Sequence, residues 1–107
     1  MPDGDLVSFN ARGPDGGLLA IVGARLKDAG NGDSLVVAPA SPLPGLPSIE
    51  IPSGPDTHTI CVVKVATKNL TPVKDRNVSG AFRIPFDPTP ELLAQVLGKV
   101  QTDSPYI

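Results

Sequence analysis

The placement of proline is the feature that most constrains how this chain folds. Thirteen of its 107 residues are proline, and six of them fall in the segment Pro39–Pro55. Proline fixes φ and has no backbone N–H, so this segment cannot run through the middle of a helix or sheet. The apolar residues between the prolines are Leu43, Leu46, Ile49 and Ile51. We predict an ordered, partly polyproline-like arm that packs on its own chain or on another subunit; a disordered linker is the alternative.

The rest of the sequence consists of short apolar segments separated by turns. It holds 11 glycines but only three phenylalanines, one tyrosine and no tryptophan, so its core must be aliphatic. Such a composition favours strands over a helical bundle. The turn Gly13–Gly17 predicts a hairpin between the first two strands. The predicted strands are Asp5–Ala11, Leu18–Lys27, Ser34–Ala38, Thr57–Thr67 and Arg76–Phe86, with a short edge strand at Ser48–Ile51.

One helix is predicted, at residues 90–101. Thr89 is a suitable N-cap, Pro90 suits the first helical position, and Glu91 complements the helix dipole. A helix this short must dock to be stable, and the sheet offers the apolar face for it. The fold class is therefore α+β: an antiparallel sheet of five to six strands with an N-terminal hairpin, one C-terminal helix on one face, and a single domain over residues 1–107. The apolar stripe of the helix comprises Leu92, Leu93, Val96, Leu97 and Val100.

Alternation within two of the predicted strands indicates a polar sheet face. In Thr57–Thr67 it places Thr59 on the face opposite His58. In Arg76–Phe86 it separates the polar residues from the apolar ones, which is typical of an antiparallel sheet with one solvated side. The polar residues of that second strand are Asn77, Ser79 and Arg83, and the apolar ones are Val78, Phe82 and Ile84.

The sequence offers little for catalysis or for a metal. His58 and Cys61 are the only histidine and cysteine, and alternation puts them on opposite faces of one strand, so they do not form a nucleophile–base pair. Metal-ligand spacing and phosphate-binding glycine motifs are absent. We expect a protein that is not an enzyme and has no cofactor, metal or small-molecule substrate.

The cysteine count and the apolar runs indicate where the protein is made. One cysteine cannot form an intrachain disulfide, and the longest apolar run, Leu18–Ala24, is too short to cross a bilayer. The acidic start lacks the core of a signal peptide. We expect a protein made in a cytoplasm with no membrane partner.

Charge is distributed unevenly. The net charge is −2, which argues against a generic basic nucleic-acid-binding domain. Residues 1–57 carry three basic and seven acidic side chains (net −4), whereas residues 58–107 carry six and four (net +2). From Lys64 to Arg83 the sequence contains five basic residues and one acidic residue, Asp75. Either a solvated basic face or a contact with nucleic acid accounts for this concentration.

Four segments of the second half carry a family resemblance. They are His58-Thr-Ile-Cys-Val-Val-Lys-Val-Ala-Thr67, Leu70-Thr-Pro-Val73, Arg76-Asn-Val-Ser-Gly-Ala-Phe-Arg-Ile-Pro-Phe86 and Glu91-Leu-Leu-Ala-Gln-Val-Leu97. In this order they resemble the coat proteins of single-stranded RNA bacteriophages (levivirus type), and the ending Asp103-Ser-Pro-Tyr-Ile107 is similar to tails in that family.

The resemblance implies a virion protein, made in the bacterial host cytoplasm, that forms a homodimer with one continuous sheet and assembles into an icosahedral shell around single-stranded RNA. The C-terminal helices would interlock through the helix stripe, and Asn77 stands where a base-stacking tyrosine is expected. The alternative interpretations are a decoration or tail-type β module of a DNA phage and a small bacterial β-sandwich module for adhesion or carbohydrate binding. The RNA-binding residues that the resemblance implies are Ser48, Thr59, Cys61, Asn77, Ser79 and Arg83. Lys64 is added to them because its charge suits phosphate.

Overall fold

A sheet of seven strands and one C-terminal α-helix form the computed structural model, which describes residues 2–100 and 103–107. The architecture is the α+β arrangement that the sequence predicted. The strands are β1 (Leu6–Arg12), β2 (Leu18–Gly30), β3 (Asp33–Pro39), β4 (Ile49–Ser53), β5 (Asp56–Ala66), β6 (Thr71–Pro72) and β7 (Phe82–Arg83); the helix is α1 (Pro90–Lys99), and a 3-10 turn spans Thr67–Asn69.

The long strand β2 organises the sheet, whose order is β4-β5-β3-β2-β1-β6. Along Leu18–Ala24 it pairs with β1, which confirms the predicted hairpin, and along Ala24–Gly30 its other edge pairs with β3. A strand has only two edges, so β7 pairs in parallel with Ile21 and Val22 on the edge that β3 has left. The position of β7 therefore follows from where β3 diverges from β2.

β2 and β3 approach each other closely at Gly23. A Cβ atom there would lie 2.1 Å from the carbonyl oxygen of Val37, far inside van der Waals contact. Only glycine allows this backbone contact, which lies one residue before the first β2–β3 pair, Ala24 with Val37.

The proline-rich arm is ordered and packs on its own chain. Leu43 is buried, and Leu46 packs against the same apolar cluster. β4 is an edge strand and, among the described residues, pairs only with β5. A proline such as Pro52 is tolerated there because no further strand needs its backbone N–H on the outer side. The Nζ of Lys99 donates a 2.8 Å hydrogen bond to the carbonyl oxygen of Glu50, which ties the end of α1 to this edge strand.

Apolar side chains cover both faces of the sheet, so the prediction of one solvated face is wrong. The alternation in β5 is as predicted: Cys61 and Val63 enter one cluster, and Ile60 and Val62 enter the other. The arm and Ile107, at the end of the C-terminal tail, pack in the first cluster, and α1 packs in the second. The predicted polar surface must therefore lie elsewhere.

The predicted strand Arg76–Phe86 is also wrong, since only Phe82 and Arg83 pair with the sheet. The N–H of Asn77 donates to Oδ1 of Asp75, and a turn closes from Ala81 N–H to the carbonyl of Val78, with Gly80 at φ +78°. These local hydrogen bonds replace a ladder. The segment is a loop that pairs with the sheet at Ile21 and Val22 of β2, and its end packs Ile84 and Phe86 in the second apolar cluster.

The helix is confirmed, although it ends at Lys99. The Oγ1 of Thr89 accepts a 3.3 Å hydrogen bond from the N–H of Leu92, as an N-cap should. Val100 is already extended, and residue 101 of the predicted range lies outside the described residues. Dimer formation through the stripe stays a prediction, but four of its residues are occupied within their own chain: Leu92 and Val96 are buried, and Leu93 and Val100 are partly buried on the same cluster.

A polar network fixes the start of the chain. Arg25 is only 8% exposed; its Nε donates to Oγ of Ser34 at 3.0 Å, and its Nη1 forms an ion pair with Asp3. The hydroxyl of Ser34 also lies 2.7 Å from that of Thr67. Among the described residues, every buried side-chain nitrogen or oxygen has a hydrogen-bond partner, so this network carries no unsatisfied group.

Candidate nucleic-acid interface

The predicted RNA-binding residues do not form one surface, and Cys61 is excluded from any. Its side chain is 1% exposed within the first apolar cluster, and its thiol points to the carbonyl oxygen of Pro39 at 3.8 Å. Burial raises the pKa of the thiol to about 11. In this fold Cys61 is a small core residue that RNA cannot reach.

Three other predicted residues lie on β5 or close to β4. Ser48 directly precedes β4, and Thr59 pairs with Glu50 of that strand. Ser48 and Thr59 are both exposed, and the acidic Glu50 lies next to Thr59. Lys64 is half-buried further along β5 and lines a cavity that it shares with Lys27 and Asp28. The acidic neighbours make this region a poor continuous surface for a polyanion.

The C-terminal tail forms hydrogen bonds with the backbone N–H and carbonyl oxygen of Lys64. The N–H of Lys64 donates to the carbonyl oxygen of Pro105 at 2.8 Å, and the N–H of Ile107 donates to the carbonyl oxygen of Lys64 at 2.9 Å. Tyr106 between them is mostly exposed, and its hydroxyl donates to Oδ1 of Asp33 at 3.3 Å. The Asp33 carboxylate raises the pKa of this phenol. The tail thus adds a short parallel bridge to β5 where β4 has ended.

Asn77 and Arg83 are brought together. They line a cleft of about 430 Å³ between the 76–81 loop and β7, which we call the arginine cleft. Ser79 lies exposed in the adjacent turn but outside the lining. The residues that line the cleft are Arg76, Asn77, Ala81, Phe82, Arg83, Ile84 and Pro85.

The two arginines of the cleft differ in how they are held. The Nε of Arg76 lies 3.3 Å from Oδ1 of Asp87, in an ion pair that is mostly solvent-exposed on the aspartate side. Arg83 is exposed, and its side chain forms no hydrogen bond or ion pair with any residue in the described part of the chain. Its guanidinium has five donors and no internal acceptor, so it is available to an external phosphate or carboxylate.

The base of the cleft is anchored to the sheet. The N–H of Ile84 donates to the carbonyl oxygen of Val22 at 3.1 Å, and the side chain of Ile84 is buried in the second cluster. Because β7 pairs with the central strand β2, the backbone of Arg83 is fixed although its side chain is free. A fixed backbone lowers the entropy lost when the side chain binds a ligand.

Phe82 and Arg76 belong to the cleft but were missed by the sequence analysis. Strand alternation assigned Phe82 to the apolar face with Ile84, yet its side chain is 43% exposed whereas Ile84 is fully buried. The alternation fails because the paired segment is only two residues long. The adjacent Ser79-Gly80 turn signal was the one indication in the sequence that a strand does not extend through here.

Comparison of the chain with known protein families, curated proteins and solved structures returns no match. Within the described residues, no helix has the length and apolar character needed to cross a membrane. Over the same residues, no group of three or more histidine, cysteine, aspartate or glutamate side chains is arranged to hold a metal ion.

Proposed function

We propose that this protein is a viral coat protein, of the single-stranded RNA bacteriophage type, that dimerises, self-assembles into an icosahedral shell and packages single-stranded RNA. The observation that carries the proposal is the guanidinium of Arg83, which has no partner among the described residues and lines the same cleft as Asn77 on a strand that is anchored to β2. A cation without an internal partner is suited to phosphate, and packaging needs positive potential only where the chain meets RNA.

The site differs from the one that the resemblance implies. RNA would contact a cleft at the side of β2 instead of a polar sheet face, since both faces are covered by apolar side chains. Lys68 and Lys74 are exposed in the segment that precedes the cleft in sequence, which also contains Asp75, and Asp87 pairs with Arg76 at the cleft itself. Ser79 and Asn77 supply a hydroxyl and an amide for contacts to base edges or to ribose.

Assembly requires surfaces that remain uncovered in one chain. Leu97 is 44% exposed and is the member of the helix stripe available to a neighbouring subunit. Leu18 and Tyr106 are also largely exposed, beside an apolar cleft of about 590 Å³ between the β1–β2 hairpin, the arm and the tail. Apolar groups exposed in this way are typical of contacts between proteins.

Expression of the full chain alone tests the proposal. We expect it to elute from a sizing column as large particles, to appear as closed shells by negative-stain microscopy, and to show the ultraviolet absorbance of packaged RNA. Elution as a monomer free of nucleic acid would contradict the proposal.

A second function, a decoration or tail-type β module that binds a protein lattice, is favoured by one observation. The chain already covers both faces of its own sheet, so its core is complete without a partner. In that case the 590 Å³ apolar cleft would contact the lattice, and the protein would be monomeric and free of RNA when purified alone.

A further inference from the structure

The end of the chain is seated on the sheet through three successive residues. The carbonyl oxygen of Pro105 and the N–H of Ile107 bond to the two backbone groups of Lys64, at 2.8 and 2.9 Å. The hydroxyl of Tyr106 donates to Oδ1 of Asp33 at 3.3 Å, and the side chain of Ile107 packs on the first apolar cluster. We call these three residues the tail segment and the part of the sheet that receives them the tail seat.

The tail seat is formed by the sheet itself. Lys64 pairs with Leu35 of β3, and Asp33 pairs with Ala66, so both residues of the seat are fixed by the β3–β5 ladder. The pairing of β4 with β5 runs from Asp56 to Ile60 and does not reach Lys64. A strand edge, a carboxylate acceptor and an apolar slot together recognise an extended segment in which a hydroxyl-bearing aromatic precedes an aliphatic residue.

The chain that leads to the tail segment packs less closely than the segment does. A cavity of about 210 Å³ lies between residues 103–105 and the start of β4. A second cavity, of about 350 Å³, is lined by Ser104, Lys64 and Val100, the extended residue at the end of α1. Groups that line a cavity lack contacts on that side, so this approach contributes less to holding the tail segment than the seat does. The seat therefore offers the same contacts to a tail segment from another copy.

We propose that two copies of this chain exchange their tail segments, so that Tyr106 and Ile107 of each copy occupy the tail seat of the other. The surface beside the seat favours this occupant. Both residues line the apolar cleft of about 590 Å³, in which Leu18 is 66% exposed. A second copy that delivers its tail segment lies next to this cleft and covers apolar surface that one chain leaves exposed.

This inference goes further than the proposed function by naming the segment through which copies associate. It rests on the self-association in that function and not on RNA, because the seat includes no residue of the arginine cleft. The same contacts form within one chain or between two, so the test must identify which chain supplies the tail segment.

A disulfide between the tail segment and its seat makes that distinction. Lys64 and Tyr106 form a parallel bridge, and paired strands lie about 4.8 Å apart, within the span of a disulfide. The full-length variant Lys64→Cys/Tyr106→Cys is oxidised and run on a denaturing gel without reductant, where exchange predicts a covalent dimer. The matched control Glu50→Cys/Thr59→Cys joins paired, exposed residues of β4 and β5 and should run as a monomer with an internal disulfide. Cys61 is buried in the core and does not compete.

A third substitution excludes chance collision as the source of the dimer. Ile107→Asp in the Lys64→Cys/Tyr106→Cys background places a carboxylate in the apolar slot and should lower the dimer yield about 10-fold or more. An unchanged yield would mean that the cysteines met outside the seat and would overturn the inference. If the double variant melts below the wild type, Ser48→Cys/Asp103→Cys replaces it. These two exposed residues line the 210 Å³ cavity, and a short bismaleimide links them within one chain or across two.

The outcomes separate exchange from the proposed function. A monomer with an internal disulfide would overturn exchange, and so would a folded variant that keeps both thiols free. Particles containing RNA in either of those cases would leave the packaging function standing. A covalent dimer from protein that forms no particles and holds no RNA would support exchange and contradict the packaging function.

Discussion

At the scale of single residues, burial decides the role of Cys61 more than its chemistry does. Its side chain lies among Val63, Val65 and Phe9 in the first apolar cluster, and the surrounding core disfavours the thiolate. The resemblance assigned Cys61 to an RNA-binding face. Cys61 does lie on the face of β5 opposite Ile60, but that face is covered by the first apolar cluster. A thiol in this environment behaves as a small apolar side chain.

Thiol reactivity measures this burial directly. With the pKa raised from 9.0 to about 11, the thiolate fraction at pH 8 is about 100-fold lower than in the unfolded chain. We expect a chromogenic disulfide reagent to react with Cys61 at least 100-fold faster in denaturant than in buffer. Because the folded pKa is raised, the thiol's contribution to stability is complete below pH 9 and is lost as pH rises towards 11. Rapid modification of the native protein at pH 8 would refute the assignment.

Among the secondary-structure elements, those that depend on local turn and capping signals were predicted correctly from the sequence. β1, β2, β3, β5 and α1 have clear periodicity and strong turn or capping signals, and they lie within a few residues of their predicted bounds. The segment Arg76–Phe86 has the same periodicity, yet it lacks a free strand along which to pair. β7 pairs with Ile21 and Val22, which lie before the β2 residues that pair with β3, so its position depends on the course of β3 and not on the segment itself.

Two glycines at different elements test the packing of the sheet. Gly23→Ala would place a methyl group 2.1 Å from the Val37 carbonyl oxygen, so we expect destabilisation by about 1–3 kcal/mol or more. Gly98 lies inside α1 with open space around it and is the matched control. Gly98→Ala should stabilise by about 0.5–1 kcal/mol through helix propensity.

Chemical denaturation of the two glycine variants measures both effects in one experiment. The account of β2–β3 contact requires opposite signs for the two substitutions. A Gly23→Ala variant as stable as the wild type would mean that β2 and β3 are further apart than the structure places them.

For the molecule as a whole, the structure shows where the unevenly distributed basic and acidic side chains lie. Of the five basic residues between Lys64 and Arg83, Arg76 and Arg83 line the arginine cleft, whereas Lys64 lies on β5 and lines a different cavity. Acidic residues of the first half are partly neutralised internally, as in the ion pair of Asp3 with buried Arg25. A net charge of −2 is therefore compatible with a local site for a polyanion.

Part of this site was predictable from sequence. Arg83 and Asn77 were chosen by alternation in a strand that does not form, and they meet because a loop folds back beside β7. Phe82 and Arg76 were missed because their exposure and direction depend on that loop. Ser48, Thr59 and Lys64 stay apart from the cleft, since their strands carry them to other parts of the surface.

The RNA content of purified particles formed by Arg83→Ala, compared with that of the wild type and of Arg12→Ala, shows whether RNA is packaged through the arginine cleft. Arg12 is an exposed arginine in the β1–β2 hairpin, where its guanidinium donates to the Gly16 carbonyl oxygen, so it is the matched control. Arg83→Ala should leave particles intact, lower their RNA content and reduce the slope of binding against salt by about 0.7, whereas Arg12→Ala should match the wild type. Particles of Arg83→Ala with unchanged RNA content and salt slope would contradict RNA packaging through the arginine cleft.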